Sequence, residues 1–165
     1  MEILKLGNPI LRDKASSVEV FDENLKLDVE QMLSTLESAK GLGLAGPQVG
    51  IEKRLFVIII DDERWVFINP EIIGRSDDKV RYEEGCLSIP GYYMDVFRPS
   101  KVKIQFQDIN GKMQILDASG LLARVIQHEY DHLDGKLFVD RLDEKTQEAF
   151  FKSWERSIKH PRRRP

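Results

Sequence analysis

His128 and His132 stand four residues apart in the run His128-Glu129-Tyr130-Asp131-His132. On a helix that spacing puts two side chains nearly above one another, so both imidazoles can reach one ion. Glu129 stands beside that face, close enough to handle the proton of a water held there. This H-E-x-x-H arrangement suits metal-dependent hydrolysis. So short a pattern also arises by chance, with the histidines at a core edge and Glu129 and Asp131 on a solvated face. Two histidines hold a metal weakly, and Cys86 is the first candidate for a third ligand. Its thiolate would complete a Cys-His-His set with one position open. A single cysteine is more often a small buried hydrophobe. Here Glu84-Gly85 and Leu87-Ser88 flank it ahead of Pro90, which gives it the look of a positioned loop residue. Asp131 and Asp134 are weaker ligand candidates and read equally well as surface carboxylates.

These residues need elements to hold them. Leu121 to Leu133 has helical character, with Leu121, Val125, His128 and His132 in one narrow sector and Gly135 as a natural stop. Leu122, Ile126 and Leu133 widen the apolar arc, which predicts a helix covered by strands over much of its surface. An earlier helix is predicted from Asn24 to Lys40 on the spacing of Leu25, Val29, Met32, Leu33 and Leu36, with Gly41 as its terminator. Leu55 to Ile60 reads as a covered strand and Trp65 to Ile68 as its neighbour. Val102, Ile104 and Phe106 alternate with polar residues; Asn110-Gly111 then turns the chain into a returning strand with Met113 and Ile115. A last helix runs from Glu144 to Ile158, packed through Phe150, Trp154 and Ile158 and stopped by Pro161. The fold class is α+β: antiparallel strands packed around a central metal-binding helix, with flanking N- and C-terminal helices.

The 165 residues suit one domain, assigned to residues 1–160, with residues 161–165 as a basic tail. A net charge of -3 gives no global basic field, so DNA is not an expected partner. No apolar run approaches the roughly 18 residues of a membrane span. The stretch Met1 to Gly7 lacks the layout of a secretory signal, so neither membrane insertion nor secretion is expected. One cysteine excludes an internal disulfide, and a reducing, cytoplasmic setting fits.

Three segments together resemble the peptide deformylase family: Gly41-Leu42-Gly43-Leu44-Ala45-Gly46-Pro47-Gln48, Glu84-Gly85-Cys86-Leu87-Ser88, and Gln127 to Gly135 around the two histidines. Their order and separation also fit, and the resemblance runs from Gly7-Asn8-Pro9 to the last helix. It implies a metal held by Cys86, His128 and His132, with Glu129 as catalytic base and then acid. It implies iron(II) as the physiological metal, with zinc, nickel or cobalt possible in purified protein. The implied substrate is the N-formylmethionyl end of a nascent chain, which is hydrolysed to formate and a free amine. The Gln48 amide and the Leu87 backbone N–H are implied to stabilise the developing oxyanion.

Other readings concern the cleft and the tail. Gly41 and Gly43 allow positive φ or close approach, and the loop they open is read as an edge that pairs with an extended peptide. No lysine follows these glycines and Pro47 interrupts them, which speaks against a phosphate cradle. Leu42, Gly43, Gly85, Leu121 and Val125 are candidates for binding substrate, the apolar ones as walls of a methionine pocket. Glu84 is a candidate for supporting a ligand, and Gln127 for tying a neighbouring strand to the helix. Gly46 departs from the family's common alanine, a loss of bulk expected to loosen the loop. Tyr93 stands where some bacterial members carry arginine; with Tyr92 it is read as a cleft edge or as loop packing. Arg124 replaces an apolar residue, with pairing to a carboxylate near Asp131 expected and its charge reaching water over an apolar stem. Lys152, Arg156, Lys159 and Arg162 to Arg164 suggest contact with ribosomal phosphate. Two rival functions stand beside the deformylase reading: a metallopeptidase, and a non-catalytic metal-binding protein with a closed site.

Overall fold

In the computed structural model, which describes residues 1–160, Asp22 opens helix α1 (Glu23–Ala39) by accepting a 3.0 Å hydrogen bond from the Leu25 N–H. That bond satisfies a donor the first helical turn leaves unpaired. Leu25, Val29, Met32 and Leu36 form the buried stripe. The helix stops one residue earlier than its spacing suggested: Lys40, not Gly41, adopts the left-handed backbone at φ 57°. Gly41 serves a different need, since a Cβ there would meet the Leu87 Cδ1 at 2.8 Å.

The supposed glycine loop that follows contains a strand, β1 (Gly43–Ala45). It forms one edge of an antiparallel sheet completed by β2 (Leu55–Ile60), β3 (Glu63–Arg75), β6 (Lys101–Gln107) and β7 (Met113–Ser119), in the order β1-β2-β3-β6-β7. The expected strand Leu55–Ile60 is β2, and Trp65 to Ile68 lies in β3, which continues seven residues beyond Ile68 to Arg75. Strand β2 is buried on both faces, which is why its sequence is continuously apolar rather than alternating. Phe56 and Ile58 pack with Phe67 and Ile104 against Ala123, Val125 and Ile126 of helix α2 (Gly120–Leu133). Leu55 and Val57 pack on the other face against Val29, Met32 and Leu36 of α1. The central helix is thus enclosed as its broad apolar arc predicted, and Gly135 follows it at φ 71°.

The β6–β7 connection needs only one of its two turn residues in the left-handed region: Gly111, at φ 84°. Asp108 closes the turn by accepting from the N–H groups of Asn110 and Lys112 at 2.9 and 3.0 Å. A second, two-stranded sheet was not legible beforehand: β4 (Lys79–Cys86) pairs antiparallel with β5 (Ile89–Pro99). Cys86 is therefore the last residue of a strand, opposite Ile89 across the Leu87-Ser88 turn, and not a free loop residue. The final helix, α3 (Glu144–Lys159), is capped by Asp143 and buries Phe150 in a third cluster with Ile89, Val96 and Phe138. The tail assigned to residues 161–165 lies outside the described residues.

Candidate metal centre

Helix α2 and the β4–β5 hairpin bring together three side chains that sequence places far apart. One ligand atom from each of Cys86, His128 and His132 lies within 4.8 Å of the others. Cys86 Sγ stands 3.4 Å from His132 Nε2. His128 donates from Nδ1 to Glu84 Oε1 at 2.8 Å, which leaves its Nε2 free to face an ion. A soft thiolate and two imidazoles fit a borderline divalent metal, so the residues present suit the ion the motif implies. Asp131 and Asp134 are not part of this group: Asp131 pairs with Arg98 and Arg141, and Asp134 with Arg54.

Glu129 sits between the two imidazoles. Its Oε1 is 3.8 Å from His128 Nε2 and 3.9 Å from His132 Nε2. Among the described residues, the buried side-chain atoms without a hydrogen-bond partner are Glu129 Oε2 and His132 Nδ1. Such orphaned groups are costly in a core and concentrate where chemistry needs them. Burial pushes the Glu129 carboxyl up to about 7, against the lowering charge of His128. Burial lowers both histidines. For His128 the hydrogen bonds to Cys86 and Glu84 outweigh it and raise the pKa, whereas the charge of His128 pushes His132 further down.

Glycine explains how Glu129 comes so close to β1. A Cβ on Gly43 would fall 2.7 Å from Glu129 Cγ and 2.8 Å from Val125 Cγ1. The close-approach reading of Gly41 and Gly43 is therefore the right one, since neither has a positive φ. Gly46 is a correction. It is buried, and a Cβ would meet the Ile51 and Lys53 carbonyl oxygens at 2.6 and 2.9 Å, so the missing methyl permits tight packing and does not loosen the loop.

Gln48 is fully buried in the turn after β1. Its Oε1 accepts from the Ala45 N–H at 2.9 Å, which orients the amide so that Nε2 donates to Ser88 Oγ at 3.1 Å and lies 3.5 Å from Cys86 Sγ. A cleft of about 650 Å³ opens over this corner. Leu42, Gly43, Gly85, Leu121 and Val125 all line it, together with Gln48, Cys86, Leu87, His128 and Glu129. His132 lies deeper, 1% exposed. Tyr93 lines the cleft, while Tyr92 turns away, edge-on to Phe150 with its hydroxyl 2.9 Å from Ser153 Oγ.

Behind the ligands lies a buried charge cluster that the sequence only partly revealed. Arg98 donates from Nε and Nη2 to Glu84 at 2.6 and 3.0 Å, and from Nη1 to Asp131 at 2.9 Å. Arg124 pairs with a carboxylate as expected, but not at the surface. Its charge does not reach water; it donates to Glu84 at 2.8 Å and to the carbonyls of Val96 and Val80 at 2.8 and 2.6 Å. Burial raises the Glu84 pKa, but the hydrogen bonds and charges of His128 and Arg98 overcome it and hold the carboxyl well below the usual range. Asp131 is likewise held low, chiefly by Arg141 and Arg98 against the opposing effect of burial. Gln127 Nε2 donates to the Pro99 carbonyl at 2.9 Å, tying the end of β5 to α2.

An α+β domain with a Cys-His-His group beside an unpaired buried glutamate defines the class: a metal-dependent hydrolase. A model of the polypeptide deformylase family matches residues 1–148. The chain is 50% identical over 145 residues to a peptide deformylase of Treponema pallidum, covering 88% of this chain and 90% of that protein. A peptide deformylase structure from Legionella pneumophila superposes with a TM-score of 0.91 at 40% identity, covering 99% of this chain and 98% of that one. One from Synechococcus elongatus, in complex with actinonin, gives 0.88 at 48% identity over 92% of this chain and 85% of that one. The chain belongs to the polypeptide deformylase family.

Proposed function

We propose that residues 1–160 act as one catalytic domain that hydrolyses the formamide of an N-formylmethionyl chain end, with Glu129 moving the proton. The observation that carries this reading is the buried Glu129 carboxylate, whose Oε2 has no partner, set between the imidazoles of a Cys-His-His group. Cys86, His128 and His132 would hold the ion, iron(II) by family resemblance with zinc, nickel or cobalt as substitutes. When bound, a divalent ion acidifies water and polarises a carbonyl. Glu129 accepts the proton of the attacking water and passes it to the departing amine. By family resemblance Gln48 Nε2 and the Leu87 N–H, both at the cleft, would donate to the formyl oxygen as it gains charge. Losing one such donor typically costs about 3 kcal/mol in the transition state. Water adds to the formyl carbon, the C–N bond breaks, and formate and a free amine leave.

Strand β1 ends its sheet, so an extended peptide would pair along its outer edge at Gly43, the Ala45 N–H being taken by Gln48 Oε1. Leu42, Leu121 and Val125 would then flank the methionine side chain, with Gly43 admitting Glu129 and Gly85 admitting the Tyr93 ring at the cleft wall, both glycines beside the substrate backbone. A peptidase cutting internal bonds is disfavoured by the family match, and a closed structural site by the cleft that reaches Glu129. Among the described residues no helix is long and apolar enough to cross a membrane. By family resemblance, the nascent-chain substrate would be met in the cytoplasm. Lys152, Arg156 and Lys159 are exposed along α3, which suits an approach to ribosomal phosphate.

The test pairs formate release with bound metal in native protein and Glu129→Gln. The variant is expected to keep its metal and lose about 10²- to 10⁴-fold in turnover. Unchanged turnover would remove Glu129 from the mechanism.

A further inference from the structure

The two donors assigned to the oxyanion come from different parts of the chain, and neither sits on a long element. Gln48 belongs to the short helical turn Gly46–Val49, and Leu87 to a two-residue hairpin turn. Donors of this kind work only when both lie near hydrogen-bond distance from one oxygen position. A displacement of about 1 Å can cost 10²-fold in rate. The Gln48 Nε2 bond to Ser88 Oγ joins the two turns through a side chain, but their backbones need a hold of their own.

The chain's first residues touch both. The Leu4 N–H donates to the Gln48 carbonyl at 2.7 Å, and the Leu6 N–H donates to the Ser88 carbonyl at 2.9 Å. Between them, Lys5 Nζ donates to the Leu87 carbonyl at 3.3 Å. Ile3 packs in the apolar cluster that includes Leu87 and Val49, and Leu6 in the cluster that includes Cys86 and Ile89. A single stretch of backbone thus spans the two turns. Ile3 and Lys5 also line the cleft itself.

We propose that Ile3–Leu6 is a positioning segment for the reaction: it holds Gln48 and the Leu87-Ser88 turn in one fixed register. The proposal rests on the assignment of Gln48 and Leu87 as oxyanion donors. The segment touches no reacting atom; it acts by where it places those that do. Its loss should therefore appear in kcat and leave KM and metal content nearly unchanged.

Leu4→Pro and Leu6→Pro each delete one of the two donors, because proline has no N–H. Glu2→Pro is the control, carrying the same substitution just before the segment. With an N-formylmethionyl peptide as substrate, each of the first two is expected to lower kcat about tenfold or more, with KM within about twofold and full metal content. Lys5→Ala, which removes the Nζ bond to the Leu87 carbonyl at an exposed position, is expected to lower kcat about threefold. In a Gln48→Ala background these losses should shrink, since the group being positioned is gone; a merely structural role would leave them multiplicative. Multiplicative losses, or kcat values matching Glu2→Pro, overturn the proposal. If the proline variants fail to fold, the Lys5→Ala and Gln48→Ala cycle decides alone: native kcat in Lys5→Ala, or a multiplicative double variant, sinks it. Native kcat in Gln48→Ala alone would instead remove the donor assignment on which the proposal stands.

Discussion

Glu84 has more partners than any exposed carboxylate could justify. It is 5% exposed, yet it faces His128, Arg98 and Arg124 at once, and its negative charge is what makes two buried guanidiniums tolerable. Removing one member of a buried charge group leaves the others uncompensated, at a cost of about 3–5 kcal/mol. Glu84→Gln keeps the shape and removes the charge. It is expected to lower the unfolding free energy by an amount in that range and to weaken metal retention about 10- to 100-fold through the loss of its grip on His128. Urea titration and competition with a chelator measure the two effects separately. A variant with native metal retention would show that the orientation of His128 does not depend on this carboxylate.

At the scale of elements, the centre joins two units that share no strand: a hairpin carrying Cys86 and a helix carrying both histidines. Arg124 is a direct fastening between them, since it reaches from α2 to carbonyls on both β4 and β5. Arg124→Met keeps the apolar stem and removes these bonds. Amide exchange should then accelerate in β4 and β5 while β2 and β3 stay protected, as measured by hydrogen exchange; uniform acceleration would mean general unfolding instead. Helix α2 was legible from sequence because its apolar spacing and its histidines obey one helical period. Strand β2 was legible because burial on both faces left it uniformly apolar. The hairpin was not, although Tyr92, Met94 and Val96 do recur at every second residue. Their pattern is broken by charges at inward positions, Glu84 on β4 and Arg98 on β5, which neutralise each other only in three dimensions. Arg98 carries no signal in the sequence for the same reason, and Cys86 reads as a loop residue because those charges hide the strand it ends.

For the whole molecule, the candidate ligand set bridges two packed clusters. Cys86 packs with the third cluster, beside Ile89 and Phe138, while Val125 and Ile126 on the histidine helix belong to the first. An ion shared by both should therefore stabilise the assembled protein and not merely equip it for catalysis. A ligand that binds only the folded state adds about 4 kcal/mol when present at a thousand times its dissociation constant. Metal-loaded protein is accordingly expected to melt several degrees above chelator-treated protein, with the difference rising with free metal concentration. Glu129→Gln should show the same rise, because the proposed mechanism gives its side chain a proton to move and no ion to hold, whereas Cys86→Ser should lose most of it. Scanning calorimetry of the three proteins, with and without added iron(II) under anaerobic conditions, makes the comparison. A metal-dependent rise in Cys86→Ser equal to that of the native protein would mean that the ion is held without the hairpin, and that the two units meet through their side chains alone.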